Sequence, residues 1–167
     1  MGFCDFGPPG NVVRMAVAAC LWPTTFKIPS VFVNETCMHF ATEDLLRNSC
    51  FDAAVATGNP TVISFSTPAY CQSATCGPQT EVLSKLDDKY KGLANFIHVE
   101  IFDNPEEMLA AGDPSLGIES PVIHEWEFHT EPWTFVVDVN GIVVGRFEAF
   151  VTLEEIEEYL LPVLTGA

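Results

Sequence analysis

The chain has 167 residues, 48% hydrophobic and 18% charged, a globular composition long enough for one domain with its own core and unlike that of a disordered chain. Its formal net charge of −16, from 23 acidic and 7 basic residues, repels phosphate backbones and excludes nucleic acid as an expected partner. No apolar run approaches the roughly 20 residues that span a bilayer, so no membrane span is expected, and the simplest use of the acidity is solubility.

Residues 1–40 read as an N-terminal extension and residues 41–167 as the main domain. Gly7-Pro8-Pro9-Gly10 breaks the chain, and Pro23 and Pro29 punctuate the rest of the extension. Short strands are expected at 12–22 and 30–34. The first ten residues hold Asp5 and no cation, unlike a secretory leader. Val17-Ala18-Ala19-Cys20 resembles a bacterial lipoprotein cleavage box, which would make Cys20 a lipid anchor. The alternative is a buried segment with an incidental cysteine.

Thr42 suits a helix cap, with Glu43 and Asp44 in the first turn. Leu45, Leu46, Cys50, Ala53 and Ala54 follow at helical spacing, and Gly58-Asn59-Pro60 ends that helix. Residues 61–66 are rich in β-branched and aromatic residues, are bounded by turn residues and predict a buried strand. A helix is expected within 73–91, with Val82, Leu83, Leu86 and Tyr90 on its inner face. Residues 95–102 alternate as a strand should. Asn104-Pro105 opens a short helix, 112–121 is a loop, and 122–128 is a helical turn or two. Asn140-Gly141 between two apolar runs predicts a hairpin over 133–148. Thr152-Leu153-Glu154-Glu155 forms a capping box for a last helix with Leu153, Ile156 and Leu160 inward. Pro162 is expected to stop it. The order α-β-α-β-α-β-β-α implies parallel pairing followed by an antiparallel hairpin. The expected fold class is α/β, a mixed sheet of about four strands with helices on both faces.

The six cysteines are Cys4, Cys20, Cys37, Cys50, Cys71 and Cys76. A disulfide-stapled scaffold is usually shorter and poorer in apolar residues, so at least one pair is expected to be chemical. The first four admit three pairings, or remain thiols packed as small hydrophobes. The strand at 61–66 runs into Thr67-Pro68-Ala69-Tyr70-Cys71-Gln72-Ser73-Ala74-Thr75-Cys76-Gly77-Pro78. A cysteine between the end of a parallel strand and a helix meets the partial positive charge and free N–H groups of the helix start. These favour thiolate over thiol, and a second cysteine nearby can resolve a mixed disulfide.

From about residue 42 to 163 the chain resembles the thioredoxin-like family. Tyr70-Cys71 between a strand and a helix resembles the family's strand–aromatic–cysteine–helix element. Thr130-Glu131-Pro132-Trp133-Thr134 resembles its cis-proline loop, and Phe102-Asp103-Asn104-Pro105-Glu106 the segment after its central strand. The resemblance implies a thioredoxin-like fold and a thiol-disulfide oxidoreductase acting on protein or peptide thiols and disulfides, with no cofactor. It implies Cys71 as the attacking thiol and Cys76 as the resolving one. It also implies Tyr70, Glu131, Pro132 and Trp133 as substrate-binding residues, with a cis Pro132 shaping a groove for an extended partner chain. An envelope or extracytoplasmic location is slightly favoured over the cytoplasm.

The chain departs from the family in its spacing, with four residues between the cysteines where the family usually has two. On a regular helix, positions five apart have Cα atoms about 8–9 Å apart, and a disulfide needs less than about 7 Å. Pairing therefore requires 72–75 to leave helical geometry. Ser73 and Thr75 suit that turn, and Pro78 suits a helix starting near Gly77. The family often keeps a buried acid under its cysteines, where this strand has Ser64 and Phe65. That leaves Glu100, a histidine or water for proton transfer. In another register, Cys76-Gly77-Pro78-Gln79 resembles the family's Cys-Gly-Pro-Cys with the second cysteine lost, and Cys76 is then the lone nucleophile. Two other readings compete. One is a copper or metal chaperone holding its ion with Cys71, Cys76 and His129. The other is a redox-inactive binding module in which Pro132 and Trp133 mark a peptide groove. His39, His98 and His124 read as ordinary surface or core residues. No glycine-rich phosphate loop suggests a nucleotide, and no arginine stands near the site for peroxidase chemistry.

Overall fold

The computed structural model describes residues 3–6, 13–16, 37–39, 54, 57–71, 73–120, 123, 124, 126 and 128–166, the first three segments as backbone only. The box ending at Cys20, the extension's expected strand at 30–34 and Cys50 lie outside them. Of the helix expected after Thr42, Ala54 is described, in helical conformation. Strands β1 (Phe3–Phe6) and β2 (Val13–Ala16) pair antiparallel as a separate ribbon. The remaining elements are β3 (Cys37–His39), β4 (Thr61–Phe65), helix α1 (Cys76–Tyr90), β5 (Asn95–Val99), α2 (Pro105–Ala111), β6 (Trp133–Val137), β7 (Val143–Glu148) and α3 (Leu153–Thr165). A 3-10 turn at Pro114–Leu116, begun by the Asp113 carboxylate accepting from Ser115 N, interrupts the loop expected at 112–121.

The main sheet runs β3-β5-β4-β6-β7. β4 and β5 are parallel, while β6 pairs antiparallel with both β4 and β7. These four strands are the mixed sheet that the sequence predicts, and β3 adds a short antiparallel edge to β5. β4, β5 and β6 are buried at every position because helical segments cover both sheet faces. Alternate residues feed separate cores. Val62, Phe96 and Val136 pack under Leu83, Leu86, Ile156 and Leu160 of α1 and α3. Ile63, Phe65, Ile97 and Phe135 pack with Ile123 and Trp126 on the other side.

β5 ends earlier than its alternation suggests. The Glu100 carboxylate turns back to accept from the backbone N–H of Ile101 at 2.9 Å and of Phe102 at 3.4 Å, competing with the ladder. Residues 101–103 then leave the sheet and pair with 118–120, through Asp103 N to Ile118 O and Ser120 N to Ile101 O, both 2.8 Å. The β6–β7 hairpin forms where Asn140-Gly141 places it, with a wider loop than a two-residue turn. Asp138 Oδ1 accepts from Asn140 N and Ile142 N, and Gly141 takes φ 76°, the left-handed residue of a three-residue loop.

The capping box is present: Thr152 Oγ1 accepts from Glu155 N, and the Glu155 carboxylate accepts from Thr152 N. Pro162 does not stop α3, which continues to Thr165. So near the C-terminus the missing N–H removes one bond of the final turn. The end carbonyls are held by the Thr165 hydroxyl, donating to Leu161 O and Pro162 O, and by Gly166 N–H, donating to Pro162 O.

Candidate redox site

The site is built where β4 ends. Ser66 N–H extends the β4–β5 ladder to Val99 O at 3.1 Å, and Tyr70 N–H closes a turn onto Thr67 O at 3.2 Å. The chain then passes through Cys71 and enters α1 at Cys76. Cys71 and Cys76 form a disulfide with Cα atoms 6.0 Å apart. That separation is accessible because 73–75 are bend and turn, not helix, in keeping with what the five-residue spacing requires. The helix starts at Cys76 itself, not just after Cys71. Its terminal N–H groups thus stand nearest Cys76 in sequence, and the bond brings the Cys71 sulfur to the same place. Pro78 falls in the first turn, where its missing N–H costs nothing to the helix.

The two sulfurs differ in access. Cys76 is fully buried at 0% exposure, whereas Cys71 is half-buried. The Ser73 hydroxyl lies 3.2 Å from Cys71 Sγ and 2.6 Å from Thr75 Oγ1, and it donates to the Glu131 carbonyl at 3.4 Å. The Glu131–Pro132 peptide is cis. Pro132 is buried, and the loop it anchors faces the disulfide across Ser73. A carboxylate oxygen of Glu131 and the two sulfurs all lie within 4.8 Å of one another. When reduced, this trio offers two thiolates and a carboxylate to a metal ion. His129 is exposed and stands outside that trio.

Of the other residues predicted for the site, Tyr70 is half-exposed beside Cys71. Trp133 is turned into the aromatic core, stacked on Phe128 at 5.2 Å with planes 10° apart, and so supports the cis-proline loop from beneath. A cleft of about 870 Å³ opens beside the disulfide. Ser73 and Glu131 form its near wall, and Ile101, Phe102, Ile123 and Phe128 its apolar floor. His129 lines it too, as do Glu119 and His124, which pair at 3.4 Å. The spacing around the cysteines gives no sign of this cleft, because its far wall is the irregular segment after α2.

Beneath the head of α1 lies a buried polar layer. His98 Nε2 is 2.9 Å from the Ser66 carbonyl and 3.0 Å from Ser66 Oγ. A carbonyl only accepts, so Nε2 carries the proton. Ser66 Oγ lies 3.4 Å from Thr80 Oγ1, which donates to the Cys76 carbonyl at 2.9 Å. Burial holds the His98 pKa below the usual histidine value, with the Ser66 carbonyl opposing. Burial pushes the Glu100 carboxyl above the usual range, and hydrogen bonds from Thr67, Phe102 and Ile101 oppose it.

Comparison with protein-family models gives no match, and comparison with curated proteins gives none. Solved structures do match. A thiol:disulfide interchange protein of the thioredoxin family from Chlorobium tepidum TLS superposes with a TM-score of 0.53 at 13% identity, over 77% of this chain and 94% of that one. A secreted thiol-disulfide isomerase from Corynebacterium glutamicum gives 0.53 at 12% identity, over 84% and 98%. Chloroplastic thioredoxin z gives 0.50 at 12%, over 76% and 93%.

Proposed function

We propose, from the premise that this chain has the thioredoxin fold with a Cys-x4-Cys disulfide, that it is a thiol-disulfide oxidoreductase acting on protein disulfides through Cys71 and Cys76. The observation that carries the reading is the asymmetry of the pair. An accessible Cys71 is bonded to a buried Cys76 at the start of α1, opposite a cis-proline loop. An incoming partner thiolate reaches Cys71 more readily than Cys76, so Cys71 is the atom that exchanges. The displaced Cys76 leaves as a thiolate at the positive end of a helix, where that charge is favoured. In the reverse sense Cys71 attacks a partner disulfide and Cys76 resolves the mixed disulfide.

The cleft supplies the substrate side of this reading. Its volume is that of a ligand-sized cleft and leaves room for several side chains of a partner segment whose own sulfur reaches Cys71. Glu131 and Pro132 flank the partner backbone, and Tyr70 borders the exposed sulfur. An envelope or extracytoplasmic setting accords with this chemistry, and the Corynebacterium neighbour is a secreted isomerase.

Thiol labelling with mass spectrometry across a redox titration tests the proposal. Cys71 and Cys76 should become protected together and reversibly. If both stay alkylatable under mild oxidation, the chain is a binding module instead. Stoichiometric copper or zinc on the reduced protein, lost in Cys71→Ser, would favour metal delivery. Disulfide reduction that survives Cys71→Ser and is abolished by Cys76→Ser would move the nucleophile to Cys76.

A further inference from the structure

Every turn of such a cycle requires Cys76 to lose and regain a proton. Its side chain is 0% exposed, so bulk water does not exchange that proton directly. Among the described residues, Glu131 is the acidic residue with a carboxylate oxygen within 4.8 Å of both sulfurs. The half-buried carboxylate sits on a loop tied to the cysteine segment by the Ser73 hydroxyl. We propose that Glu131 is the proton acceptor and donor for Cys76, a role that rests on the dithiol reading above.

The Cys71 thiolate attacks a partner disulfide, one partner thiolate leaves, and Cys71 is joined to the other partner sulfur. The Cys76 thiol gives its proton to the Glu131 carboxylate, and its sulfur attacks Cys71 Sγ. The Cys71–Cys76 bond forms as the mixed disulfide breaks. The second partner thiolate departs with the proton from Glu131. The first takes from solvent the proton that Cys71 had released. The protein is thereby oxidised and the partner disulfide reduced to two thiols.

Glu131 acts on the sulfurs in two opposed ways, and this makes the role separable. As a base it speeds resolution, a contribution typically of 10²–10⁴-fold. As a negative charge nearby it disfavours thiolates. Glu131→Gln removes both. Reduced wild type, Glu131→Gln and Glu131→Asp are each mixed with a synthetic disulfide-bonded peptide, quenched in acid at intervals and weighed by mass spectrometry. In Glu131→Gln the mixed disulfide at Cys71 should accumulate, with resolution at neutral pH slowed about 100-fold. The gap should close as the pH rises and hydroxide replaces the lost base. Iodoacetamide alkylation of Cys71 should run at least as fast as in wild type. Glu131→Asp should recover part of the resolution rate.

Unchanged resolution and an unchanged pH profile in Glu131→Gln would overturn the proposal. So would an equal slowing of alkylation and resolution in both variants, which marks a merely structural residue. Failure of wild type to reduce the peptide, with no mixed disulfide in wild type or either variant, would instead sink the dithiol reading itself.

Discussion

His98 and Glu100 are separated by one residue, and burial shifts both toward their neutral forms, with opposite consequences for stability. Folded His98 binds its proton less readily than the unfolded chain does. The stability it gives is present above the ordinary value of 6.5 and is lost as pH falls through the lowered folded value. Folded Glu100 holds its proton more tightly than the unfolded chain. Its contribution is present below 4.5 and is lost as pH rises through the raised folded value. Wild type should therefore show partly cancelling slopes in its urea midpoint across mildly acidic pH. His98→Gln, which can still donate towards Ser66, should leave a midpoint that falls as pH rises. Glu100→Gln should leave one that falls as pH drops. Identical profiles for all three proteins would mean that neither group titrates differently on folding. Sequence does not disclose this layer. His98 lies in an alternating strand, and whether it meets Ser66, 32 residues away, depends on parallel register.

At the scale of elements, what sequence predicted well is what a few adjacent residues decide. The Thr152 box closes within four residues, and Thr152→Ala should cost about 1 kcal/mol, read as a lower urea midpoint with an unchanged slope. A change within a few tenths of wild type would show the cap to be idle. The hairpin was legible from Asn140-Gly141, but its loop type was set by the Asp138 carboxylate. Pro162 misled because the helix runs only three residues past it, to Thr165, so the proline costs it a single i→i−4 bond near its end. At the site, the cysteine pair and the cis-proline loop carry local signatures. The approach of Glu131 to the sulfurs does not, because it brings together segments 58 residues apart, as the Ser73 bond to the same residue shows. The cleft was equally hidden. Gly117 is part of its construction: a Cβ there would stand 2.7 Å from the Phe102 ring, so the chain and that floor residue approach closely only without a side chain. Gly117→Ala should thus displace Phe102 and weaken partner reduction while leaving exchange with small thiols intact. Equal loss of both would place the defect at the disulfide and not in the cleft.

For the whole molecule, the decisive quantity is the charge of −16. Such a field acts on any partner before contact, and it includes Glu119 and Glu131, which line the cleft beside the disulfide. A cationic segment is drawn towards Cys71 and an anionic one repelled. Steering of this kind changes association rates by 10–10³-fold and fades with ionic strength, since the screening length is about 10 Å at 0.1 M salt. Two disulfide-bonded peptides identical except for lysine or glutamate pairs beside the cysteine provide the comparison. At low salt the lysine peptide should form the mixed disulfide with Cys76→Ser protein at least about tenfold faster. Added salt should slow the lysine peptide, speed the glutamate peptide and bring the two rates together. Glu119→Gln should narrow the low-salt gap slightly, because it removes one charge from a large total. A salt-independent preference for lysine would indicate a specific contact within the cleft. Equal rates at low salt would confine the acidity to keeping the protein soluble and leave partner choice to the apolar floor.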